Sequence, residues 1–153
     1  MTSTPSPDGH DCPCGRSSTF GGVLSYERCC GRYLDDASVS APDAESLMRS
    51  RYTAYALGRH DYVLATWDPA HRPARLNVDS ARWTGLRVLD HRSTAPDAAE
   101  VEFVAGYADR RSGQAGELWE RSRFTLRDGR WWYLDAGDHR TDPVGQRRRP
   151  PVG

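Results

Sequence analysis

The sequence predicts an α+β fold: helices first, packed on one face of a curved antiparallel sheet, with a small cysteine-rich module ahead of them. Three observations carry this reading. Apolar residues recur at helical spacing up to about Trp67, the period changes to two after Trp83, and all four cysteines fall between Cys12 and Cys30. The 153 residues suffice for one domain with its own core and a small appendage. A fold of about 150 residues buries roughly 70% of the surface its unfolded chain exposes.

Met1 to Asp11 is rich in Ser, Thr, Pro, Asp and Gly with almost nothing to bury, and is expected to be a mobile tail. Residues 12–34 hold the cysteines but too little apolar surface to order themselves. The α+β domain is expected over residues 42–138. Pro42 and Asp43 give a helix start; Ala44, Leu47, Met48, Arg51 and Tyr55 then recur at helical spacing until Gly58. A second helix is expected from Asp61 to Trp67, ended by Asp68-Pro69, and a third, short one near Asn77 to Ala81. Strands are predicted at Thr84–His91, Ala99–Ala108, Gly116–Arg127 and Arg130–Ala136. The sharpest local signal is Asp128-Gly129, a hairpin turn between the last two. Residues 139–153 read as a flexible tail, whose Arg147, Arg148 and Arg149 are flanked by prolines and read as solvated.

Twenty-one acidic residues balance 21 basic ones, which argues against a general polyanion binder or a protein held to a membrane surface by charge. Every basic residue is arginine, so chemistry that needs a lysine amine, a Schiff base or a phosphate-binding P-loop, is excluded. No apolar run approaches the roughly 20 residues of a membrane helix, and Met1 to Cys14 has no basic stretch followed by an apolar one. The expected location is the cytoplasm.

Cys12-Pro13-Cys14-Gly15 and Cys29-Cys30-Gly31 place four thiols in two close pairs, the ligand set of tetrahedral zinc. Glycine follows each pair, where the backbone must fold around an ion. Disulfides are the competing reading, but a bridge between adjacent Cys29 and Cys30 is strained and the chain shows no export signal. A redox pair remains the other alternative, because zinc thiolates can be oxidised. His10, in the tail, is a poor substitute ligand. Four protein thiolates close the coordination sphere, so the expected zinc is structural, and such sites deliver roughly 10–16 kcal/mol as folding energy.

The cysteine motif CPCG with CCGRYL resembles the SEC-C zinc motif, also found at the C-terminus of the translocase SecA. LMRSRYTAYALG, DYVLATW, WTGL, ERSRF and GRWWYLD, in this order, are similar to the YchJ-like bacterial proteins. The resemblance runs over roughly residues 12–137. It implies a SEC-C-type zinc module followed by an α+β cone of the nuclear-transport-factor-2-like, or cystatin-like, type, and implies no particular activity. The chain departs from the family pattern in three places. Ser17 to Leu24 looks like an insertion that bulges the zinc loop; Trp67-Asp68-Pro69 stands where members read Trp-His-Pro; and no cysteines follow Thr141-Asp142-Pro143 to make a second motif.

Alternation puts Leu118, Glu120, Ser122, Phe124 and Leu126 on the sheet face that the helices cover, with Val101, Phe103, Ala105 and Tyr107 beside them. Glu120 then points inward, as does Arg51 of the first helix, and a buried Arg51–Glu120 ion pair is expected. Tyr55, Trp67 and Trp83 are the aromatic candidates for lining a cavity. No histidine, cysteine or second carboxylate is expected to complete a catalytic set, and no catalytic residue is assigned. Glu117, Trp119, Arg121, Arg123 and Thr125 share the outer face, read as a salt-bridge ladder; exposed, its arginines suit a homodimer contact.

The favoured function is a zinc-stabilised binding protein, its module docking a protein partner and its cone acting as scaffold or small-molecule pocket. The alternative is an enzyme with Glu120 or Asp61 as proton carrier, and a third, weaker idea is a redox- or zinc-responsive regulator. A cavity filled by side chains would favour the first; an open one holding a carboxylate of raised pKa would favour the second.

Overall fold

Asp43 opens the main helix by accepting the Ser46 amide on its side chain at 2.7 Å. In the computed structural model, which describes residues 10–76 and 81–143, this helix is preceded by one short turn. The order is α1 (Gly31–Leu34), α2 (Ala44–Leu57), α3 (His60–Ala65), then β1 (Ala81–Ala95), β2 (Ala98–Asp109), β3 (Ala115–Arg127) and β4 (Arg130–Pro143). The helix-then-strand α+β architecture is therefore present. The expected helix at Asn77 to Ala81 lies outside the described residues except for Ala81, which opens β1.

The four strands form one antiparallel sheet in chain order, each hairpin-joined to the next. Between β3 and β4 the chain turns at Asp128 and Gly129, both at positive φ (55° and 73°), as a two-residue turn with right-handed strand twist requires. Register shifts bend the sheet: three interrupt the β1–β2 pairing and two the β3–β4 pairing, at Arg121/Ser122 and Arg123/Phe124. Each extra residue kinks its strand, so the sheet curls around α2.

Two boundaries differ from the sequence reading. The predicted C-terminal tail begins at His139, yet β4 continues to Pro143, because Gly116 to Glu120 of β3 still offer it pairing partners. At the other end, His10 and Asp11 belong with the module: the Tyr26 amide donates to the His10 carbonyl at 2.7 Å, and Asp11 bridges to Ser25.

Helix α2 is buried on two sides, nine of its 14 residues being buried. Met48, Arg51, Tyr52 and Tyr55 face the sheet, and Ser46, Arg49 and Thr53 face the cysteine module. Both sets follow i, i+3, i+4 or i+7 spacing, so one helix serves as the wall between two bodies.

Candidate metal centre and cone cavity

The Cys12–Cys30 segment folds as two tight corners. After Cys12 the chain turns so that the Gly15 amide reaches the Cys12 carbonyl at 2.9 Å; after Tyr26 the Cys29 and Gly31 amides both reach the Tyr26 carbonyl, at 3.0 and 2.8 Å. Only glycine fits at position 31, since a Cβ there would stand 2.7 Å from the Tyr26 ring. The Ser17–Leu24 stretch does not distort these corners. It closes on itself as a hairpin, Ser17 bridging Val23 and Leu24 pairing back to Cys12 and Arg16, with Phe20 at the tip 99% exposed.

The corners bring all four sulfurs within 4.8 Å of one another, buried and unbridged. Cys14 Sγ and Cys29 Sγ are 3.6 Å apart. A tetrahedral ion with sulfur ligands at about 2.3 Å separates its ligands by about 3.8 Å, so the donor set and spacing fit zinc. Hydrogen bonding to Cys14, then Cys29 and Cys30, pulls the Cys12 thiol far down, while hydrogen bonding to Cys12, then Cys14, pushes Cys29 and Cys30 up.

Side-chain contacts tie the module to α2, among them an Arg16–Glu45 ion pair at 3.8 Å. Arg49 donates to the Cys14 carbonyl at 3.1 Å, Arg16 to the Ser46 hydroxyl at 2.9 Å, and Thr53 Oγ1 lies 3.7 Å from Cys12 Sγ. Thr53 is wholly buried. Sequence reasoning passed over it because a threonine inside a helical pattern carries no metal signature.

On the other side of α2 the sheet encloses an open cavity of about 400 Å³. Arg51, Tyr55, Trp83 and Glu120 line it, as does His60 from the start of α3. Trp67 does not. Its indole donates to the Leu134 carbonyl at 2.9 Å and packs edge-on against Tyr133 at 5.0 Å, behind the cavity wall. Asp61 also lies elsewhere, at the surface 3.6 Å from Arg59.

Arg51 and Glu120 both reach the interior but form no ion pair, which corrects the expected salt bridge. Tyr133 stands between them: the guanidinium lies 4.0 Å from its ring centre, and its hydroxyl donates to Glu120 Oε2 at 3.2 Å. Arg51 Nη1 donates instead to the Val63 carbonyl at 2.6 Å and to Thr66 Oγ1 at 2.8 Å. The Ser122 hydroxyl also donates to Glu120 Oε2. Burial pushes the Glu120 carboxyl above its ordinary range, against the hydroxyls of Ser122 and Tyr133 and the charges of Arg51 and His139, which favour its ionised form.

The outer face is the salt-bridge ladder that alternation suggests. Arg121 lies 2.8 Å from Glu102, 3.4 Å from Glu100 and 3.6 Å from Asp90; Arg123 holds Asp135, and Trp119 donates to Glu102 at 2.7 Å. No helix among the described residues is long and apolar enough to cross a membrane.

Comparison with known proteins agrees with this layout. Residues 43–136 match the family model described as YchJ, middle NTF2-like domain. A UPF0225 protein of Methylibium petroleiphilum is 52% identical over 127 residues, 82% of this chain and 86% of its own length. Two solved structures share the fold. A SEC-C motif containing protein from Rhodopseudomonas palustris is 35% identical with a TM-score of 0.68, covering 82% of this chain and 95% of that one. A SEC-C motif containing protein from Psychrobacter arcticus is 27% identical with a TM-score of 0.71, covering 85% and 83%. The chain belongs to the YchJ family, an NTF2-like domain behind a SEC-C-type cysteine cluster.

Proposed function

We propose that Cys12, Cys14, Cys29 and Cys30 hold one structural zinc ion, and that the protein so ordered is a binding protein. Its module docks a protein partner and its cone takes a small molecule. The observation that supports the metal is the convergence of four buried sulfurs within 4.8 Å. With every coordination position taken by thiolate, zinc would supply folding energy and a rigid corner, with none left for an ionised water. Reduced, unbridged cysteines suit the cytoplasm, where thiols are kept reduced. Metal analysis of protein purified without added metal should give close to one zinc per chain. A Cys14→Ser/Cys29→Ser double variant should lose it, and full retention would defeat the assignment.

The second reading, an enzyme, has one observation in its favour. The cavity is open and holds a carboxyl displaced towards its protonated form, with His60 on the same lining. Asp61 is no longer a candidate, being outside the cavity. A thermal-shift screen followed by incubation of the hits separates the two. A binding protein returns its ligand unchanged, whereas an enzyme converts it and a Glu120→Gln variant does not.

A further inference from the structure

A cavity that takes a small molecule also selects its chemistry, and Arg51 is the side chain that selects here. It is 5% exposed and lines the cavity. Both of its hydrogen bonds to protein leave from Nη1. Nε and Nη2, the side-on edge of the guanidinium, have no acceptor among the described residues. They are not sealed away either, for the Trp132 indole nitrogen is the one polar side-chain atom among those residues both closed off and unpartnered. That edge donates two parallel bonds, the pattern a carboxylate accepts.

Besides Arg51, the described lining holds one imidazole, His60, and one carboxyl, Glu120. Trp83, Phe103, Tyr107 and Leu118 offer an apolar surface. Glu120 is the one acidic residue among the described residues of the lining, and its Oε2 is occupied by the hydroxyls of Ser122 and Tyr133. At about 400 Å³ the space lies near the lower end of the roughly 300–1,000 Å³ typical of ligand pockets, which suits a short chain or one or two rings.

We propose that the cone cavity binds a small organic monoacid, its carboxylate held side-on by Nε and Nη2 of Arg51 and its apolar body against Trp83, Phe103 and Tyr107. The inference rests on the cavity being a ligand site and is independent of the metal. Displacement of Glu120 towards its protonated form lessens the repulsion between the two carboxyl groups.

The test is titration of the whole 153-residue wild-type chain, loaded with zinc, with 2-naphthoate, 2-naphthamide and 2-naphthylmethylamine, followed by calorimetry and by NMR. The acid should bind at least tenfold more tightly than the amide or the amine. Arg51→Lys keeps the charge but loses the fork, and should weaken the acid at least tenfold. Should that variant not fold, Ala105→Phe fills the cavity from the sheet and should abolish binding. Amide or amine bound as tightly as the acid overturns the assigned class and leaves the cavity as a ligand site. Acid binding undiminished by Ala105→Phe overturns the location. Failure of all three compounds overturns both this inference and the reading of the cavity as a ligand site.

Discussion

Thr53 is where the two bodies of the molecule meet, its hydroxyl 3.7 Å from Cys12 Sγ with no access to water. Hydrogen bonds to metal-bound thiolates set ligand orientation and basicity, and their loss typically costs 10–100-fold in affinity. Thr53→Val keeps the shape and removes the hydroxyl, so it should fold while losing zinc to a competing chelator at roughly 10–100-fold lower chelator activity. Glu120 permits a test of sign. Its folded carboxyl sits above the ordinary value, so between the two the native state holds more protons than the unfolded one and stability falls as pH rises. Gln at 120 can still accept from Ser122 and Tyr133 without carrying charge. Urea titrations of Glu120→Gln and wild type should agree best near pH 4, and the variant should gain as pH rises to 8. The opposite trend would mean that Arg51 and His139 outweigh burial.

Among the elements, α2 was the most legible in the sequence and also the most misleading. Its start at Asp43, its end at Gly58 and its apolar stripe could be read directly, because capping and periodicity are local. Its second face could not. Ser46, Arg49 and Thr53 are polar and look solvated in any one-dimensional pattern, yet they are covered by a module 30 to 41 residues upstream. β2 and β3 were legible to within one residue, as was the face carrying Glu120, because alternation survives even where bulges interrupt pairing. By contrast, β1 starts three residues before and ends four after its predicted bounds, and β4 runs on from the predicted Ala136 to Pro143. The Arg51–Glu120 pair was misjudged for a related reason. Two charges facing one interior predict attraction, but whether they touch depends on Tyr133, which reaches that interior from β4. Helix α1 escaped because four residues give no period to detect.

For the whole molecule, the cysteine module and the cone share α2 as a common wall, so the two should not unfold independently. Chelation of zinc should remove the cover from Thr53 and Ser46 as well as opening the cysteine corners. Thermal unfolding of zinc-loaded protein is expected as one transition, and chelator should lower its midpoint and speed hydrogen exchange in the α2 amides as well as the module. A cone transition unmoved by chelator would mean that the two bodies are energetically separate. The sheet, in turn, is a meander in which every strand pairs with its sequence neighbour. Contacts that close over short lengths of chain form early, so the sheet can be laid down hairpin by hairpin as synthesis proceeds. By then residues 12–30 have already left the ribosome, and the four thiols meet solvent before β1 exists. Loading of the proposed zinc can therefore precede completion of the cone, and a newly made chain starved of it would present naked thiols to oxidants at its most vulnerable moment.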